Sequence, residues 1–571
     1  MMEVMRRMAT MSPNALRELV HDCAKRAPRE INTCLAEYGP LSGMVRLAPL
    51  FPRGYLDRPA TGRSGHAEPQ RRDGLVNLIQ ELDRRLPRRP RAHRTSVSDA
   101  RLDDIIFREV AECTATGLSE ERDDLLEHLA SIYDVAPRLP RLGELVANLR
   151  TEVDLSDAVV VAHQHVLGTV VSQFEALWEL GLEPSRTYVI GKPYSTNQLA
   201  AMYLEQKGCS VRTGFASFDL ASIFSPGWYQ SDNHEALGLI FADVVRQLPH
   251  DNISRLIVLD DGGLILTWLN RAFDSGLFSR DEAHRLAQLE VLGVEQTTFG
   301  RHMVERLARV EQRDREQQTI VPIANVAQTR LKLEKETELI ANSVVHELRE
   351  WLRSSDVHNA HVTELRQATI GVIGFGVVGS WVCRALRNDP QQRFIVFDDD
   401  ISHSSTARSV GYRVAHSVQE LARECSVLIG CTGAPGGVAL DASMLNAGTV
   451  LASASSGNYE FARVFITANG RKKTINPELS PGRPARLFDW VHSIFSVPVS
   501  NGRAFILNGG FPINFTGAVD PIRADQIELT RCLMLMGVAA GLRELRGRPN
   551  FGGAVSLARI DETLVNEMFT E

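Results

Sequence analysis

Apolar runs alternate with helical stretches along the chain from Asp99 to about Ala341. Short apolar runs predict strands, and the stretches between them, with apolar positions every three or four residues, predict helices. Strands separated by helices of this length predict a parallel sheet that is covered on both faces. The predicted strands are Ala158–Ala162, Thr187–Ile190, Ser210–Thr213, Leu256–Leu259 and Leu289–Leu292, and the predicted helices include Val170–Leu180, Asn197–Gln206 and His234–Leu248.

The same alternation continues in the second half of the chain. Apolar runs predict four more strands, each too short to be told from a helix by periodicity alone but bounded by turn residues. Helical spacing predicts the helices Val377–Leu386 and Gln526–Gly541. The four strands are Ile370–Ile373, Phe394–Phe397, Val427–Cys431 and Thr449–Ser453.

Three glycines follow the first of these strands at the spacing G-x-G-x-x-G. Gly374 permits a tight turn, Gly376 lets the backbone approach a pyrophosphate, and Gly379 lets the following helix lie close to the strand; Val378 stands between the last two. The free amides and positive dipole end of that helix then face the pyrophosphate. Glycines at these intervals also occur in ordinary turns, but strand, glycines, helix and strand in this order favour dinucleotide binding.

Asp398 comes 19 residues after Gly379, at the end of the second strand. A carboxylate there can accept hydrogen bonds from both hydroxyls of an adenosine ribose, which favours NAD over NADP. No basic residue directly follows Asp398 to bind a 2′-phosphate, and Asp399 and Asp400 disfavour one.

We therefore expect an α/β fold with two Rossmann-like, doubly wound parallel-sheet domains, a cleft between them, and an N-terminal, mostly helical extension. The expected units are an extension with an Arg/Pro-rich linker (1–98), a substrate-binding α/β domain (99–345), an NAD-binding domain (346–508) and a C-terminal segment that returns to the substrate domain (509–571).

Composition excludes several classes of protein. The 571 residues are 44% hydrophobic and 23% charged, as in ordinary globular proteins, and the net charge of −7 does not favour nucleic acid or an anionic membrane as a partner. Neither a secretory signal nor a membrane span is predicted. The 8 cysteines are scattered without a C-x-x-C pair, which suits a reducing cytoplasm and argues against a metal site.

A basic run extends from Arg84 to Arg94. It could contact RNA or an acidic partner. No aromatic residues interleave with the arginines for base stacking, so a solvated linker is the favoured interpretation.

Several separated segments resemble one family, the S-adenosylhomocysteine hydrolases. In order along the chain, the resemblance covers about Asp157 to Leu545. The matching segments are Asn233-His234 ahead of a helix, Asp260-Asp261-Gly262-Gly263 after a strand, Glu295-Gln296-Thr297-Thr298 in a loop that ends at Gly300, and Val321-Pro322-Ile323-Ala324-Asn325-Val326.

The resemblance implies tightly held NAD that oxidises the 3′-hydroxyl of a nucleoside, followed by elimination of the 5′-thiol, addition of water and return of the hydride. It implies that Lys332 takes the hydroxyl proton while Glu336 and Asp261 orient the sugar. It also places Thr297, Thr298 and Asn514 at the cofactor, with Asn508 as a second choice for Asn514, and it implies a homo-oligomer.

The departures from the family concern thioether elimination, hydration and adenine recognition. Asn458 or Ser456 stands where the family has one histidine, and Asp520-Pro521 replaces its His-Pro pair. A substrate-binding glutamate becomes Gln296, and the cysteine near nicotinamide becomes Ala341. Of the nucleoside-recognition segment only His165 matches, with Leu167, Thr169 and Val170 at the other positions. The tail that links family subunits is missing after Asp561.

Each candidate also has an ordinary structural interpretation. Lys332 could be a surface lysine, Asp260–Gly263 an ordinary turn, and Asp520-Pro521 an ordinary loop pair. His163 and His165 could be core histidines with satisfied hydrogen bonds, and for His163 that interpretation is favoured. A raised pKa would let Asp520 serve as an acid or base.

Three functions follow. The favoured one is an NAD-dependent enzyme that oxidises, and re-reduces, a hydroxyl of a nucleoside or related sugar. The second is a genuine S-adenosylhomocysteine hydrolase with substituted acid/base residues. The third is a non-catalytic NAD-binding regulator; retention of both Lys332 and Glu336 favours an enzyme over it, because a sensor needs only the glycine turn and Asp398.

Overall fold

The computed structural model describes residues 130, 133–212, 228–248, 252–275, 278–286, 288–311, 321–353, 362, 364–434, 437–469, 476–477, 491–545, 557–558, 560 and 562–570. The expected N-terminal extension, the basic run Arg84–Arg94 and Thr213 lie outside these residues, as do the side chains of 228–235.

Seven of the described strands form a first sheet, in which all neighbours run parallel in the order β14-β6-β5-β4-β1-β2-β3. Strand order reverses between β1 and β4, so a crevice opens there beyond the carboxyl ends of the strands. Numbered in chain order, the strands are β1 (Ala158–Gln164), β2 (Thr187–Gly191), β3 (Ser210–Arg212), β4 (Arg255–Asp260), β5 (Glu290–Glu295), β6 (Ile323–Asn325) and β14 (Leu557–Ala558).

The other seven described strands form a second sheet in the order β11-β12-β13-β10-β9-β7-β8. Its parallel part reverses between β7 and β9, and β12 joins β13 and β11 in antiparallel pairs. The strands are β7 (Thr369–Ile373), β8 (Arg393–Phe397), β9 (Val427–Gly430), β10 (Val450–Ser453), β11 (Asn476–Pro477), β12 (Phe495–Val499) and β13 (Gly502–Ile506).

Helices cover the faces of both sheets. In the described part of the chain they are α1 (Pro140–Leu149), α2 (Gly168–Glu179), α3 (Gln198–Gln206), α4 (Trp228–Gln247), α5 (Leu264–Ser275), α6 (Arg280–Leu286), α7 (Thr298–Glu311), α8 (Thr337–Arg353), α9 (Val377–Arg387), α10 (Ile401–Ser409), α11 (Val418–Glu424), α12 (Ala462–Asn469), α13 (Ala524–Leu545) and α14 (Glu562–Thr570). None of the helices described is long and apolar enough to cross a membrane.

Strand β1 shows why these sequences form buried parallel sheets. All seven of its residues are buried. Val160 and Ala162 belong to the apolar cluster on one face, and Val159 and Val161 to the cluster on the other. Burying each valine contributes roughly 1.5–3 kcal/mol, so a run that is apolar at every position requires helices on both sides. The expectation of two doubly wound α/β units is confirmed.

The nine predicted strands match the observed ones to within a few residues. Strands β6, β11 and β14 and the hairpin of β12 and β13 were not predicted. Pro498 lies in the middle of β12, and proline is unusual inside a sheet because it cannot donate a hydrogen bond. The second sheet is therefore mixed rather than wholly parallel. The two antiparallel pairs, β11–β12 and β12–β13, lie at one edge of the sheet, so the crevice at its reversal point is unaffected.

After the second sheet the chain returns to the first. The backbone N–H of Gly168 donates to the Val519 carbonyl at 2.9 Å, and the Asn197 side chain donates to the Gly517 carbonyl at 3.0 Å. Helix α13 then packs beside β5, β6 and α2, and 15 of its 22 residues are buried. The segment 511–520 consequently lies over the crevice of the first sheet.

Candidate active site

The glycine turn after β7 has the geometry that its sequence implies. Gly374 has φ +96°, and a methyl group there would lie 2.9 Å from the Cys431 carbonyl carbon. A methyl group at Gly379 would overlap the Gly374 carbonyl oxygen. A side chain is thus excluded at the turn by conformation and at the helix by the closeness of α9 to the turn.

Gly376 differs from these two glycines because a methyl group there would meet no atom within 4 Å. It caps α9 without any side-chain hydrogen bond, and it lines a cavity between α8, α9 and α10. The first amides of α9 are therefore available to an anionic group that approaches Gly376. The residues fit a pyrophosphate.

Asp398, at the end of β8, is tied to the glycine turn. Its Oδ2 accepts a hydrogen bond from the Phe375 backbone N–H at 2.5 Å, and its Oδ1 accepts one from the Asp400 backbone N–H at 2.8 Å. The His403 ring Nδ1 lies 3.2 Å from Oδ2. The carboxylate has about four acceptor positions, so it can hold the turn and still accept from a ribose hydroxyl.

In the first sheet, the adjacent acids after β4 have different environments. Asp260 accepts hydrogen bonds from the backbone N–H groups of Leu264 and Leu266, at 3.2 and 2.9 Å, and so fixes the start of α5. Asp261 instead enters a buried cluster of side chains at the crevice. The geometry therefore assigns Asp260 to the turn and leaves Asp261 available for chemistry.

Lys192, just after β2, is the residue that pairs with Asp261. Its Nζ lies 2.5 Å from Asp261 Oδ1, and both side chains are at least 95% buried. Burial raises the pKa of Asp261, but the charge of Lys192, the neighbouring His165 and the Lys192 hydrogen bond together hold it below its usual range. Burial likewise opposes ionisation of Lys192, yet Asp261 raises its pKa. The two remain an ion pair over the neutral pH range.

His165 completes this cluster from the end of β1. Its Nε2 lies 3.3 Å from Asp261 Oδ2, and its Nδ1 lies 2.5 Å from the Ser195 hydroxyl. Burial, followed by the charge of Lys192, holds the pKa of His165 well below its ordinary value, so the ring is neutral. His163, two residues earlier on β1, is also buried, and its Nδ1 lies 3.5 Å from Asp260 Oδ1.

Glu295, at the end of β5, organises the loops on either side of it. It accepts hydrogen bonds from the Gly262 and Gly263 backbone, at 3.2 and 3.0 Å, and from the Thr297 backbone and hydroxyl, at 2.7 and 2.6 Å. Burial and the nearby Asp260 carboxylate raise the pKa of Glu295 well above its usual value. Thr297 therefore serves the loop, whereas Thr298 is exposed at the start of α7 and Gln296 is buried.

Lys332 and Glu336 lie on a short π-helical turn, Lys332–Glu336, that leads into α8. Lys332 Nζ donates to both Glu336 oxygens, at 2.8 and 2.6 Å. The Lys332 side chain is 12% exposed, so it is not a surface lysine. The charge of Lys332 also lowers the pKa of Asp261. Such π turns occur frequently at functional sites.

Asp520, in the segment that crosses the crevice, accepts hydrogen bonds from the Thr169 backbone and hydroxyl at 3.1 and 2.9 Å. Burial raises its pKa to about 7, although these hydrogen bonds and the charge of Arg531 lower it. Asp520 can therefore exchange a proton near neutral pH.

Aromatic side chains join the two halves of the molecule at this point. His165 stacks on Phe515, with ring centres 4.3 Å apart, and Tyr194 stacks on Phe511 at 5.0 Å. Burial raises the pKa of the Tyr194 hydroxyl, and the neighbouring Gly457 backbone and Ser456 side chain lower it. Ser456 and the buried Asn458, the two candidates for a family histidine position, thus follow β10 and lie close to the crevice of the first sheet.

The two asparagines proposed for nicotinamide are distinguished by their contacts. Asn508 has φ +51°, donates to the carbonyls of Pro512 and Phe515 at 2.7 and 2.9 Å, and has His492 2.8 Å from its amide oxygen. Its side-chain amide is therefore used in hydrogen bonds that stabilise the 508–515 loop. Asn514 is buried within that loop, so it is the better candidate for a cofactor contact.

The comparisons with known proteins give distant similarities. No protein-family model matches the chain. Proteins of Mycobacterium tuberculosis strains CDC 1551 / Oshkosh and ATCC 25618 / H37Rv, both described as uncharacterized, are 26% identical over 387 residues, or 67% of this chain. The match spans 64% of the length of these curated relatives.

Similar solved structures include three dehydrogenases or reductases. A 2-hydroxyacid dehydrogenase from Ketogulonicigenium vulgare Y25 is 15% identical with a TM-score of 0.33, over 71% of this chain and 99% of that one. A phosphoglycerate oxidoreductase from Vibrio cholerae O395 is 11% identical with a TM-score of 0.32, over 68% and 99%. An NADPH-dependent glyoxylate/hydroxypyruvate reductase from Sinorhizobium meliloti is 15% identical with a TM-score of 0.29, over 54% and 87%.

Four residues of the site were not identified from the sequence: Lys192, Glu295, Arg531 and Glu460. Glu460 is buried and accepts hydrogen bonds from the Thr432 and Gly433 backbone, at 2.8 and 3.3 Å, beyond the end of β9. The available signals were a lysine and an acid within three residues of the ends of predicted strands, Lys192 after Ile190 and Glu295 after Leu292. His234 lies in α4, but its side chain is outside the described part of the structure.

Proposed function

We propose that this chain is an NAD-dependent, adenosylhomocysteinase-like oxidoreductase that oxidises, and can re-reduce, a hydroxyl group of a nucleoside or related sugar. The observation that supports it most is the Lys332–Glu336 pair, which is nearly buried, and the charge of Lys332 also lowers the pKa of Asp261 at the crevice of the first sheet. A base, a carboxylate that orients it and a second acid lie together, as proton abstraction from a hydroxyl requires.

The choice of NAD rests on the glycine turn and Asp398. Open space at Gly376, amides of α9 without a side-chain cap, and an acid at the end of β8 fit a pyrophosphate and an adenosine ribose. Bound NAD supplies a hydride acceptor. We assign Gly374, Gly376, Val378, Gly379 and Asp398 to the adenosine half of the cofactor.

The nicotinamide half would meet residues from both sheets. We assign Asn514 to its carboxamide and Thr298 to its exposed edge, with Thr297 holding the loop through Glu295. By fixing the nicotinamide ring, Asn514 and Thr298 would place the substrate hydroxyl between the cofactor and Lys332. Reacting atoms must lie about 3–3.5 Å apart.

On the substrate side, the neutral form of Lys332 takes the hydroxyl proton, and Glu336 then pairs with the ammonium group that results. Asp261, fixed by Lys192, accepts a hydrogen bond from a neighbouring sugar hydroxyl. His165, Gln296, Asn458 and His234 are assigned to the remainder of the substrate. Asp520 can add or remove a proton in any step that follows oxidation, because burial raises its pKa to about 7.

A test begins with the protein as purified. We expect NAD(H) to be released on denaturation, and we expect nucleosides or sugars from a screened panel to raise the absorbance of reduced nicotinamide at 340 nm. Protein without any dinucleotide would refute the proposal. Turnover of S-adenosylhomocysteine on the order of 1 per second or faster would replace it with the hydrolase alternative.

A further inference from the structure

Arg531 is a buried cation for which the proposed reaction gives no role. It lies on α13 and is 4% exposed. Its Nη1 donates to Gln173 Oε1 at 3.3 Å, and its Nε has no acceptor among the described residues. Gln173 is 1% exposed, and its Nε2 also lacks an acceptor in that part of the chain.

The carboxylates near Arg531 already have other partners. Asp261 is paired with Lys192 at 2.5 Å and Glu336 with Lys332 at 2.6 Å. Asp520 accepts from Thr169, and it is protonated below about pH 7 because of burial. None of the described carboxylates forms an ion pair with Arg531 within 4 Å.

The guanidinium nevertheless belongs to the crevice. Its charge acts on His165, Asp261, Glu336 and Asp520, which are the groups assigned to the substrate and its proton transfers. Asp261 and Glu336 are paired with Lys192 and Lys332, so Arg531 is left without a paired carboxylate among the described residues. A buried cation without a counter-ion is costly, and it is stabilised when an anion binds beside it.

We propose that the substrate carries an oxyanion, a carboxylate or a phosphate, and that Arg531 and the Gln173 amide bind it. This inference rests on the proposed function and specifies its substrate class. A guanidinium presents two donors to a planar carboxylate or a phosphate, and the Gln173 amide adds a further donor without adding charge. The sugar or nucleoside that is oxidised at the crevice is therefore an acid.

The experiment compares neutral and anionic probes on the purified protein. The neutral probes are ribose and adenosine, and the anionic probes are ribose 5-phosphate, adenosine 5′-monophosphate and adenosine 5′-carboxylate. Affinity is measured by titration calorimetry and reduction of bound cofactor by absorbance at 340 nm. We expect at least one phosphate or carboxylate probe to bind about 30-fold more tightly than its neutral parent. The phosphate and carboxylate members show which oxyanion is preferred.

Variants then assign the preference to Arg531. Arg531→Gln should abolish it, Arg531→Lys should keep part of it, and Gln173→Leu should weaken anion binding roughly 10-fold. The matched control is Arg150→Gln, on the exposed end of α1, whose side chain is 59% exposed. If Arg531→Gln does not fold, as judged by its melting curve, Arg531→Lys and Gln173→Leu decide the question.

Equal affinity for neutral and anionic probes, binding of none of them, or an anion preference that survives Arg531→Gln would each overturn the inference. Failure of the proposed function gives a different result: protein without NAD(H) would show no absorbance change, while calorimetry would still report the oxyanion preference. If neutral probes are oxidised as fast as anionic ones, the oxidoreductase proposal stands. Only the inference that the substrate carries an oxyanion is then refuted.

Discussion

Lys332 donates to both carboxylate oxygens of Glu336, at 2.8 and 2.6 Å. Glu336 in turn accepts a hydrogen bond from the Thr530 hydroxyl at 2.5 Å. Thr530 belongs to α13, which follows the second sheet in sequence but packs against the first. The proposed base is therefore held in place by the segment of chain that returns across the crevice.

Replacing Lys332 with alanine should lower the rate of reduction of bound cofactor by substrate at least about 10²-fold, since general-base catalysis contributes 10²–10⁴-fold. NAD content should stay unchanged because Lys332 lies outside the glycine turn. The measurement is single-turnover absorbance at 340 nm. Lys335→Ala, on the same turn but exposed, is the matched control and should behave as wild type. Equal rates in the Lys332 variant and the wild type would mean that another group is the base.

Two glycine variants should separate cofactor binding from folding. Gly376→Ala introduces a methyl group into open space, so the apoprotein should lose less than about 1 kcal/mol of stability while its NAD content falls sharply. Gly379→Ala forces a clash with the Gly374 carbonyl and should cost about 1–3 kcal/mol. Denaturant melts and NAD release measure both effects. Full NAD content in Gly376→Ala would show that the pyrophosphate does not lie there.

Asp398→Asn should weaken NAD binding about 10-fold, because the carboxylate both holds the Phe375 amide and meets the ribose. Asp399→Asn, at the exposed neighbouring position, is the control. Affinity for NAD and NADP is measured by equilibrium titration of the stripped protein. A loss of the same size in both variants would indicate a general effect of charge and remove Asp398 from the site.

Asp520 should make stability depend on pH. Its folded pKa is about 7, above the value of about 3.9 for an unfolded aspartate, so between these values the folded state binds more protons and stability falls as pH rises. Asp520→Asn should remove this decline and stabilise the protein at pH 8 by about 4 kcal/mol. Melting temperatures at pH 5 and pH 8 test it. A wild-type protein that gains stability across this range relative to the variant would contradict the assignment.

The sequence predicts local features of this molecule well. The three glycines have the positions and environments that their spacing implies, and the strands lie close to their predicted bounds, because both depend on residues that are near in sequence. The two doubly wound sheets follow from the alternation of strands and helices.

The paired charges could not be predicted in the same way. Lys192 and Asp261 are 69 residues apart, and they meet only because β2 and β4 both flank β1. Arg531 and Gln173 are 358 residues apart and depend on the packing of α13 against α2. The hydrogen bonds of Glu295 likewise require the loop after β4 to approach the loop after β5. These contacts depend on the order of the strands in the sheet and on the packing of α13 against the first sheet. Local sequence patterns predict neither.

The central claim is that a nicotinamide ring faces a substrate carbon beside Lys332. A crystal structure of the full chain with NAD and a bound substrate analogue measures it, as the distance from nicotinamide C4 to Lys332 Nζ. With one carbon and its hydroxyl between them, we predict roughly 5–8 Å. A ring whose C4 lies more than about 12 Å from that nitrogen in the closed complex, too far for a single carbon to bridge, would contradict the account.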